Sequence, residues 1–439
     1  MIYLDNNATT RIHPEVRQAM EPWLGEQYGN PSASYRFGRA ARQALERAHQ
    51  QVAELIGARP EEIVLTSGGT ESDNTAIHAA VQLMPERRHL VISSVEHSAI
   101  VKPAAFWESL GYEVTRLPVD REGLLDPDLL RGAVRPDATA LVSVMWANSE
   151  TGVILPVAEA GEIAHAAGAL FHTDAVQGVG KLPVDLSALP MIDLLSLSGH
   201  KFHGPKGIGA LFVSGRIRFR PFLHGGGQEK DRRSGTENVP GAVGLGQAAV
   251  CARSDLGGGV SEQIGRMRDR FETLLLETVG GVDRNGSARQ RLPNTSNLFF
   301  PGVDAEGLQI LLDDAGICCS PGSACGSGKV KPSAVLKAMG HGNDRARSSV
   351  RFFFRLQHDG GGGTRCPGGG EGGRQAAGAS AQWRRSRHCQ LNRPIISSGE
   401  SAPGGDHAGK QAIMGFQGKF VRGRHCSWNA TPRARSGCP

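Results

Sequence analysis

The amino-acid sequence predicts an α/β protein with a large domain built on a mainly parallel β-sheet. Short apolar runs alternate with stretches of helical apolar period, polar motifs follow several of the runs, and 439 residues are enough for two domains with buried cores. Alternating strands and helices favour a sheet that is covered on both faces and binds ligands at the carboxyl ends of its strands. We therefore expect the polar motifs to form one site.

Helices and strands are predicted in alternation. Apolar residues recur on one face over Ala41–Leu55, which predicts a helix that Gly57 ends, and Ala158–Ala167 has the same period. Short continuous apolar runs are typical of buried strands. The runs interpreted as strands are Ile63–Leu65, Leu90–Ile92, Ala140–Met145, Ala169–Phe171, Ile192–Leu197 and Ala210–Val213.

A smaller α/β domain is expected after the glycine triplet Gly257–Gly259, which we interpret as a hinge. It would contain a helix at Gln263–Val279, a strand at Asn297–Phe300 and the segment Leu308–Cys319. The predicted organisation has an N-terminal segment at 1–14 that packs on the small domain, a large domain at 15–256, the small domain at 257–354 and a tail at 355–439.

The excess of basic charge is confined to the C-terminal tail. The net charge is +6, but 13 of the 49 Lys and Arg residues and only 4 of the 43 acidic residues lie in 355–439, which leaves 36 basic and 39 acidic residues elsewhere. The body is mildly acidic, so we expect no nucleic-acid partner. No stretch has the roughly 20 apolar residues of a membrane span. Without a secretory pattern at the N-terminus, we expect a cytoplasmic protein whose 8 cysteines are reduced.

Three polar motifs come directly after predicted strands. Gly68-Gly69-Thr70 precedes a helix, where unpaired N–H groups favour an anion such as phosphate, although a tight capped turn has the same sequence. Asp174 ends a buried strand. Its carboxylate is interpreted either as the partner of a positive group, such as a protonated pyridine nitrogen, or as a helix cap. His97 fits a catalytic role or a position in the core.

Lys201 and Cys325 are the candidate reactive side chains. Lys201 follows an apolar strand, where a desolvated amine can form a Schiff base, and a surface lysine is the alternative interpretation. Cys325 lies in a loop of small residues, Ser320–Gly328, which suits an accessible nucleophile. A metal site is the alternative, but the loop has no second cysteine at ligand spacing.

Together these segments resemble the class V aminotransferase-like enzymes, and among them the NifS-type cysteine desulfurases, with the nitrogen-fixation branch favoured. The likeness runs in order from residue 2 to about residue 352 and implies the type I fold of pyridoxal-phosphate-dependent transferases. The motifs that carry it are Tyr3–Thr10, Gly29–Ser32, Gly69–Ser72, Glu96-His97, Trp146–Asn148, His172–Gln177, Ser198–Lys201, Arg233–Asn238 and Gly322–Cys325.

The resemblance implies a role for each site residue. Lys201 would bind pyridoxal 5'-phosphate covalently and move protons, with His97 over the ring. Cys325 would take the sulfur of L-cysteine as a persulfide and serve as a ligand of a transient [2Fe-2S] cluster. Arg351, through the substrate carboxylate, and Asn148 would bind the substrate. The implied cofactor contacts are Gly69, Thr70, Asn148, Ser149, Asp174 at the pyridine nitrogen, Gln177 at the phenolic oxygen, Ser198, His200, Lys201 and, from a second subunit, Thr236.

The implied function is a cysteine desulfurase that converts L-cysteine into L-alanine and a Cys325 persulfide. The implied partners are a second copy of the chain in a homodimer and an iron–sulfur scaffold protein that accepts the sulfur. Nitrogenase maturation is favoured over a housekeeping or tRNA-thiolation role. The alternatives are an aminotransferase or selenocysteine lyase of the same fold and a non-catalytic scaffold for sulfur or clusters.

The sequence departs from the family pattern at two places. The family has two asparagines before Glu-Thr-Gly, whereas Asn148-Ser149 stands here, so one cofactor contact is shortened or lost. After Phe352 the likeness ends, and 355–439 holds 18 of the 59 glycines without sustained periodicity, which suits disorder. A reading frame displaced by one base near Phe353 permits Ser-Phe-Gly-Tyr-Asn-Thr-Thr-Glu-Glu-Glu, the continuation expected of the family, so a frameshift is the other interpretation of the tail.

Overall fold

The computed structural model describes residues 1–218, 220–321 and 332–355, the backbone of 357–359 and 363–365, and residue 378. Residues 1–391 form one compact unit that contains all of them. Cys325 and most of the 355–439 tail lie outside the described residues. None of the described helices is both long and apolar enough to cross a membrane.

Strands and helices alternate through the first half of the chain. The strands are β1 (Ile2–Tyr3), β2 (Ile63–Thr66), β3 (His89–Ser93), β4 (Glu113–Leu117), β5 (Thr139–Ser143), β6 (Leu170–Asp174), β7 (Leu194–Ser198), β8 (Gly209–Val213), β9 (Asp283–Arg284), β10 (Thr295–Phe299), β11 (Ile317–Cys318), β12 (Ser320–Pro321), β13 (Ser349–Phe353), β14 (Gln357–Asp359) and β15 (Gly363–Arg365). The helices are α1 (Pro14–Leu24), α2 (Arg36–Ile56), α3 (Gly69–Leu83), α4 (Ser98–Ser109), α5 (Pro127–Ala133), α6 (Val157–Ala166), α7 (Gln228–Asp231), α8 (Val239–Gly257), α9 (Val260–Thr278), α10 (Ala305–Asp314), α11 (Ala334–Ala338) and α12 (Asn343–Arg347).

A seven-stranded sheet in the order β2-β8-β7-β6-β5-β3-β4 forms the larger layer. Strand β8 is antiparallel to both of its neighbours, and the other neighbouring pairs are parallel. Because β8 reverses the direction between β2 and β7, these two strands run the same way. The carboxyl ends of β2, β3, β5, β6 and β7 therefore lie at one edge of the sheet.

The six predicted strands of this sheet are confirmed, and β4 was missed. The residues of β3, β5, β7 and β8 are buried throughout, as expected of strands covered on both faces. Edge strand β4 is mostly exposed or half-buried, so Glu113–Leu117 forms no continuous apolar run. The predicted helix at Ala41–Leu55 is the inner part of α2, and Gly57 ends it with a left-handed φ of 65°.

A second cluster of buried apolar side chains lies around an antiparallel sheet in the order β12-β13-β10-β9. The Phe271 ring of α9 packs against Phe352 and Phe354, with ring centroids 4.9 and 5.1 Å apart. Leu4 belongs to the same cluster, because β1 pairs in parallel with β11. The chain's N-terminus is thereby tied to its later elements, which brings residues 5–8 next to β13.

Candidate active site

The polar motifs predicted from sequence meet at the carboxyl edge of the large sheet. Each follows a different strand, so residues far apart in sequence become neighbours. The structure places Gly69 and Thr70 after β2, His97 after β3, Asn148 and Ser149 after β5, Asp174 at the end of β6 with Gln177 beyond it, and Ser198, His200 and Lys201 at and after the end of β7.

Lys201 lies in a single 3₁₀ turn, Gly199–Lys201, directly after β7. Its Nζ donates hydrogen bonds to the carbonyl oxygens of Asn7 and Ala8, the latter at 2.9 Å. Burial, and after it the charge of Arg351, lower the pKa of the Lys201 amine to about 8. About a tenth of such an amine is neutral at pH 7. Lys201 is therefore a nucleophile under neutral conditions, unlike a surface lysine.

Asp174 ends β6 with its side chain buried, and one carboxylate oxygen accepts the backbone N–H of Val176 at 2.9 Å. The helix expected at Val176 is absent, since residues 176–178 form a turn, and Asp174 caps this turn instead of a helix. Burial raises the pKa of Asp174, and His97, Lys201 and Lys181 act against this shift. Polar atoms of Asp73, His97 and Asp174 lie within 4.8 Å of one another. The site therefore surrounds a buried carboxylate with cationic or basic groups.

Two further buried carboxyl groups, Asp73 and Glu96, interact with Asp174, and no role was predicted for either from sequence. Burial raises the pKa of Glu96 to about 8, and burial together with Asp174 raises that of Asp73 well above its usual range. His172 is fully buried between Ser143 Oγ at 2.9 Å and Ser196 Oγ at 3.0 Å, and burial lowers its pKa to about 3. Glu96 and His172 are therefore mostly uncharged near pH 7, and burial disfavours a negative charge on Asp73.

The start of α3 lies against the end of β7 with no side chain between them. A Cβ on Gly69 would lie 2.7 Å from Val176 Cγ2 and 3.8 Å from Ser198 Cβ, and one on Gly68 would lie 3.6 Å from Ser198 Oγ. A side chain at Gly69 would therefore collide with Val176, whereas the distances to Ser198 are ordinary van der Waals contacts. The first backbone N–H groups of α3 and the Ser198 hydroxyl form a cradle of the kind that binds phosphate.

Arg351 brings β13 to the same site. Its Nη1 donates to the Ser149 carbonyl oxygen at 2.8 Å and its Nη2 to Asp5 Oδ1 at 3.1 Å. Its Nε is buried and has no partner among the described residues. Such a guanidinium retains a donor for a carboxylate. Ser320 pairs with Arg351 across β12 and β13, so the segment that leads to Cys325 begins beside Arg351.

The amide of Asn148 is used within its own loop. Its Nδ2 donates to the Val95 carbonyl oxygen at 3.1 Å, and its Oδ1 accepts the N–H groups of Glu150 at 2.9 Å and Thr151 at 3.0 Å. Its contact with a cofactor or substrate therefore stays a prediction. Ser149 contributes its backbone carbonyl, which accepts from Arg351 and from Asn7 Nδ2.

His200 lies at the carboxyl edge of the large sheet, directly after β7, whereas Thr236 lies in an exposed turn. His200 Nδ1 lies 3.2 Å from Thr9 Oγ1, and burial followed by the charge of Lys201 lowers the pKa of the imidazole to about 4. His200 is therefore neutral at pH 7. Thr236 is exposed, in the turn between α7 and α8. Its predicted contact with the site of a second subunit is not tested within one chain.

Asn7 is a site residue that the sequence reasoning did not single out. Its carbonyl oxygen accepts from both Lys201 Nζ and Gln177 Nε2, and its side-chain Oδ1 is buried and has no partner in the part of the chain that the structure describes. The available signal was that Asn6-Asn7 lies in Tyr3–Thr10, one of the motifs that carry the family resemblance. What the sequence lacks is any sign that β1 carries this dipeptide to the carboxyl edge of the large sheet.

Residues 2–358 match the family described as Aminotransferase class-V. The chain belongs to this family. Among its class-V relatives, the cysteine desulfurase of Trichormus azollae is 48% identical over 352 residues, which cover 80% of this chain and 87% of that protein. The cysteine desulfurase of Klebsiella pneumoniae is 49% identical over the same length and coverage. A solved NifS-like protein superimposes with a TM-score of 0.77 at 32% identity, covering 88% of this chain and 99% of the other. The resemblance and the fold class predicted from sequence are confirmed.

Proposed function

We propose that this class-V protein is a pyridoxal-phosphate-dependent cysteine desulfurase. The observation that carries the proposal is Lys201, a buried amine whose pKa is lowered to about 8 and which lies beside the buried carboxylate of Asp174. This pair is what a Schiff-base enzyme needs, because the amine must be neutral to react and the carboxylate must hold a protonated ring nitrogen. The identity of 48 to 49% to cysteine desulfurases supports this reaction over others of the family.

The residues present fit pyridoxal phosphate. The glycine cradle of α3 with Ser198 would hold the phosphate, Asp174 the pyridine nitrogen, Gln177 the phenolic oxygen and Lys201 the carbonyl carbon. Bound there, the cofactor would act as an electron sink for the α-carbon of the substrate. Thr70 and His200 would complete the phosphate contacts, and His97 would lie over the ring.

The chain's own residues would supply binding, proton transfer and the sulfur acceptor. Arg351 would bind the carboxylate of L-cysteine, with Nε as the donor still to be used. Lys201 would take the α-proton and return it later to the product. The Cys325 thiolate would attack the substrate sulfur, so that the carbon–sulfur bond breaks and a sulfur–sulfur bond forms. L-cysteine and the enzyme thiol would thereby give L-alanine and the enzyme persulfide.

The assembly and its partners are finer parts of the proposal. We infer a homodimer in which Thr236 reaches the partner's phosphate site, a position that its exposure permits. An iron–sulfur scaffold protein would accept the sulfur, Cys325 would hold a transient [2Fe-2S] cluster, and nitrogenase maturation is the favoured use. A cytoplasmic location would keep Cys325 reduced. The organisation into 1–14, 15–256 and 257–354 remains the proposed domain division.

The test is release of alanine and sulfide from L-cysteine by purified protein, with Lys201→Ala and Cys325→Ala as matched variants. We expect both variants to lose alanine formation and only Lys201→Ala to lose the visible absorbance of the bound cofactor. Full alanine formation by Cys325→Ala would favour a lyase that does not use this thiol, such as a selenocysteine lyase, and conversion of L-cysteine into its keto acid would favour an aminotransferase. A folded wild-type protein that stays colourless with pyridoxal phosphate would favour a non-catalytic scaffold.

A further inference from the structure

A second buried lysine, Lys181, lies at the same site and has no role in the reaction proposed above. Its residue is 7% exposed, and its Nζ lies 5.2 Å from the centroid of the Phe353 ring. Lys181 and Lys201 line one cavity together with Thr10 and Phe353. Because a lysine is rarely buried without a compensating partner, its surroundings require an explanation.

The described polar partner of the Lys181 amine is Gln177. Lys181 Nζ donates a hydrogen bond to Gln177 Oε1. Because the Lys181 amine donates in this contact, the oxygen end of the Gln177 amide faces Lys181. Gln177 Nε2 is thereby directed away from Lys181, and it donates to the Asn7 carbonyl oxygen at 3.2 Å.

The contact joins Lys181 to Lys201 through one chain of hydrogen bonds. Lys201 Nζ donates to the same Asn7 carbonyl oxygen that accepts from Gln177. Without Lys181, the Asn7 carbonyl oxygen, which also accepts from Lys201 Nζ, would be the remaining described contact that holds the Gln177 amide in this orientation. The amide could then rotate and present its oxygen to the site, where it would repel a phenolic oxygen instead of donating to it.

Charged groups reach Lys181 from several elements. Burial, then Lys201 after β7 and Arg351 of β13, lower the pKa of the Lys181 amine well below its usual range, while Asp174 of β6 acts in the opposite direction. Lys181 in turn lowers the pKa values of His200 and His203. The amine is therefore held in a crowded cationic site, which is unfavourable for folding and is consistent with a functional reason for its presence.

We propose that Lys181 is a positioning residue that holds the Gln177 amide with its N–H group toward the cofactor. This inference rests on the proposed function, because it assigns Gln177 to the phenolic oxygen of pyridoxal phosphate. Its effect on chemistry is indirect: the Gln177 N–H stabilises the deprotonated phenolic oxygen, which lowers the affinity of the neighbouring Schiff-base nitrogen for its proton. Lys181 contacts neither group itself.

The test is a pH titration of the visible absorbance of the holoenzyme for wild type, Lys181→Met, Gln177→Leu and the double variant. Methionine keeps the apolar stem of lysine and removes the donor. We expect each single variant to raise the apparent pKa of the absorbance change by about one pH unit, which corresponds to the loss of one hydrogen bond to a charged group. The double variant should shift no further than Gln177→Leu alone, because Lys181 acts through Gln177.

A purely structural Lys181 would lower the melting temperature and leave the titration unchanged, and that result would overturn the proposal. Additive shifts in the double variant would overturn it as well. Lys181→Arg keeps a donor and should titrate like wild type. If Lys181→Met does not fold, Lys181→Arg replaces it in the test. The proposal is then refuted if Lys181→Arg shifts the apparent pKa of the absorbance change as much as Gln177→Leu does. A wild-type protein without visible absorbance would instead refute the proposed function.

Discussion

Gly69→Ala tests the phosphate cradle most directly. The new methyl group would lie 2.7 Å from Val176 Cγ2, more than half an ångström inside ordinary van der Waals contact. Val176 is stiff at χ1, so the start of α3 must move away from Val176, which changes its position relative to Ser198. Overpacking of this kind costs about 1–3 kcal/mol, and restoring the cradle on binding would weaken the affinity for a phosphorylated ligand by roughly 5- to 150-fold.

The assay is equilibrium binding of pyridoxamine 5'-phosphate to the apoprotein, since this amine carries the phosphate but forms no Schiff base with Lys201. Gly132→Ala is the matched control, because a Cβ at Gly132 of α5 meets nothing within 4 Å. The double variant Gly69→Ala, Val176→Ala removes the clashing methyl group and should recover most of the affinity. Wild-type affinity of folded Gly69→Ala would refute the assignment of the phosphate to this cradle.

Four further predictions concern other residues of the site, a buried ion pair and the C-terminal tail. Arg351→Lys should raise the KM for L-cysteine roughly 10- to 100-fold by removing the Nε donor that the guanidinium keeps for the substrate carboxylate, and an unchanged KM would exclude this role. The rate at which apoprotein gains visible absorbance with pyridoxal phosphate should rise with pH and level off above about 8, because only the neutral Lys201 amine reacts; a rise that continues to pH 10 would contradict the lowered pKa. Glu272→Gln should cost about 3–5 kcal/mol in urea unfolding, since Arg291 donates to this buried carboxylate at 2.6 and 2.8 Å. The pKa of Glu272 is lowered by Arg291 against the effect of burial, so its contribution is present above the unfolded pKa and is lost as the pH falls through the folded one; equal urea midpoints would disprove it. Resequencing the nucleotides around Phe353 should reveal a displaced base, and an unshifted reading would end the frameshift interpretation of 355–439.

The strands of the large sheet could be predicted because their signal is local. A strand buried on both faces is a continuous apolar run whatever surrounds it, as in β7, whereas edge strand β4 has no such run and was missed. Helix ends were less accurate, since α2 begins at Arg36 and the apolar face shows only from Ala41. The position of the polar motifs at one edge of the sheet could also be predicted. Alternating helices and strands favour parallel strands, and the carboxyl ends of parallel strands lie at the same edge.

The candidate site was predictable only where its residues follow strands in sequence. Asp174 and Lys201 were found because each ends an apolar run with a group that is costly to bury. Lys181 and Asn7 were not, since their importance arises from contacts with residues that are distant along the chain. The orientation of the Gln177 amide is a property of these contacts alone.

By itself, the sequence determined the α/β class, the strand-end motifs and the family, because apolar periodicity and the order of the motifs are properties of the linear chain. Tertiary structure alone decided in which direction the pKa of each buried polar group is shifted. A pKa depends on burial and on neighbours within a few ångströms, and the neighbours of Lys201 include Arg351, 150 residues further along. Only folding brings these two cations together.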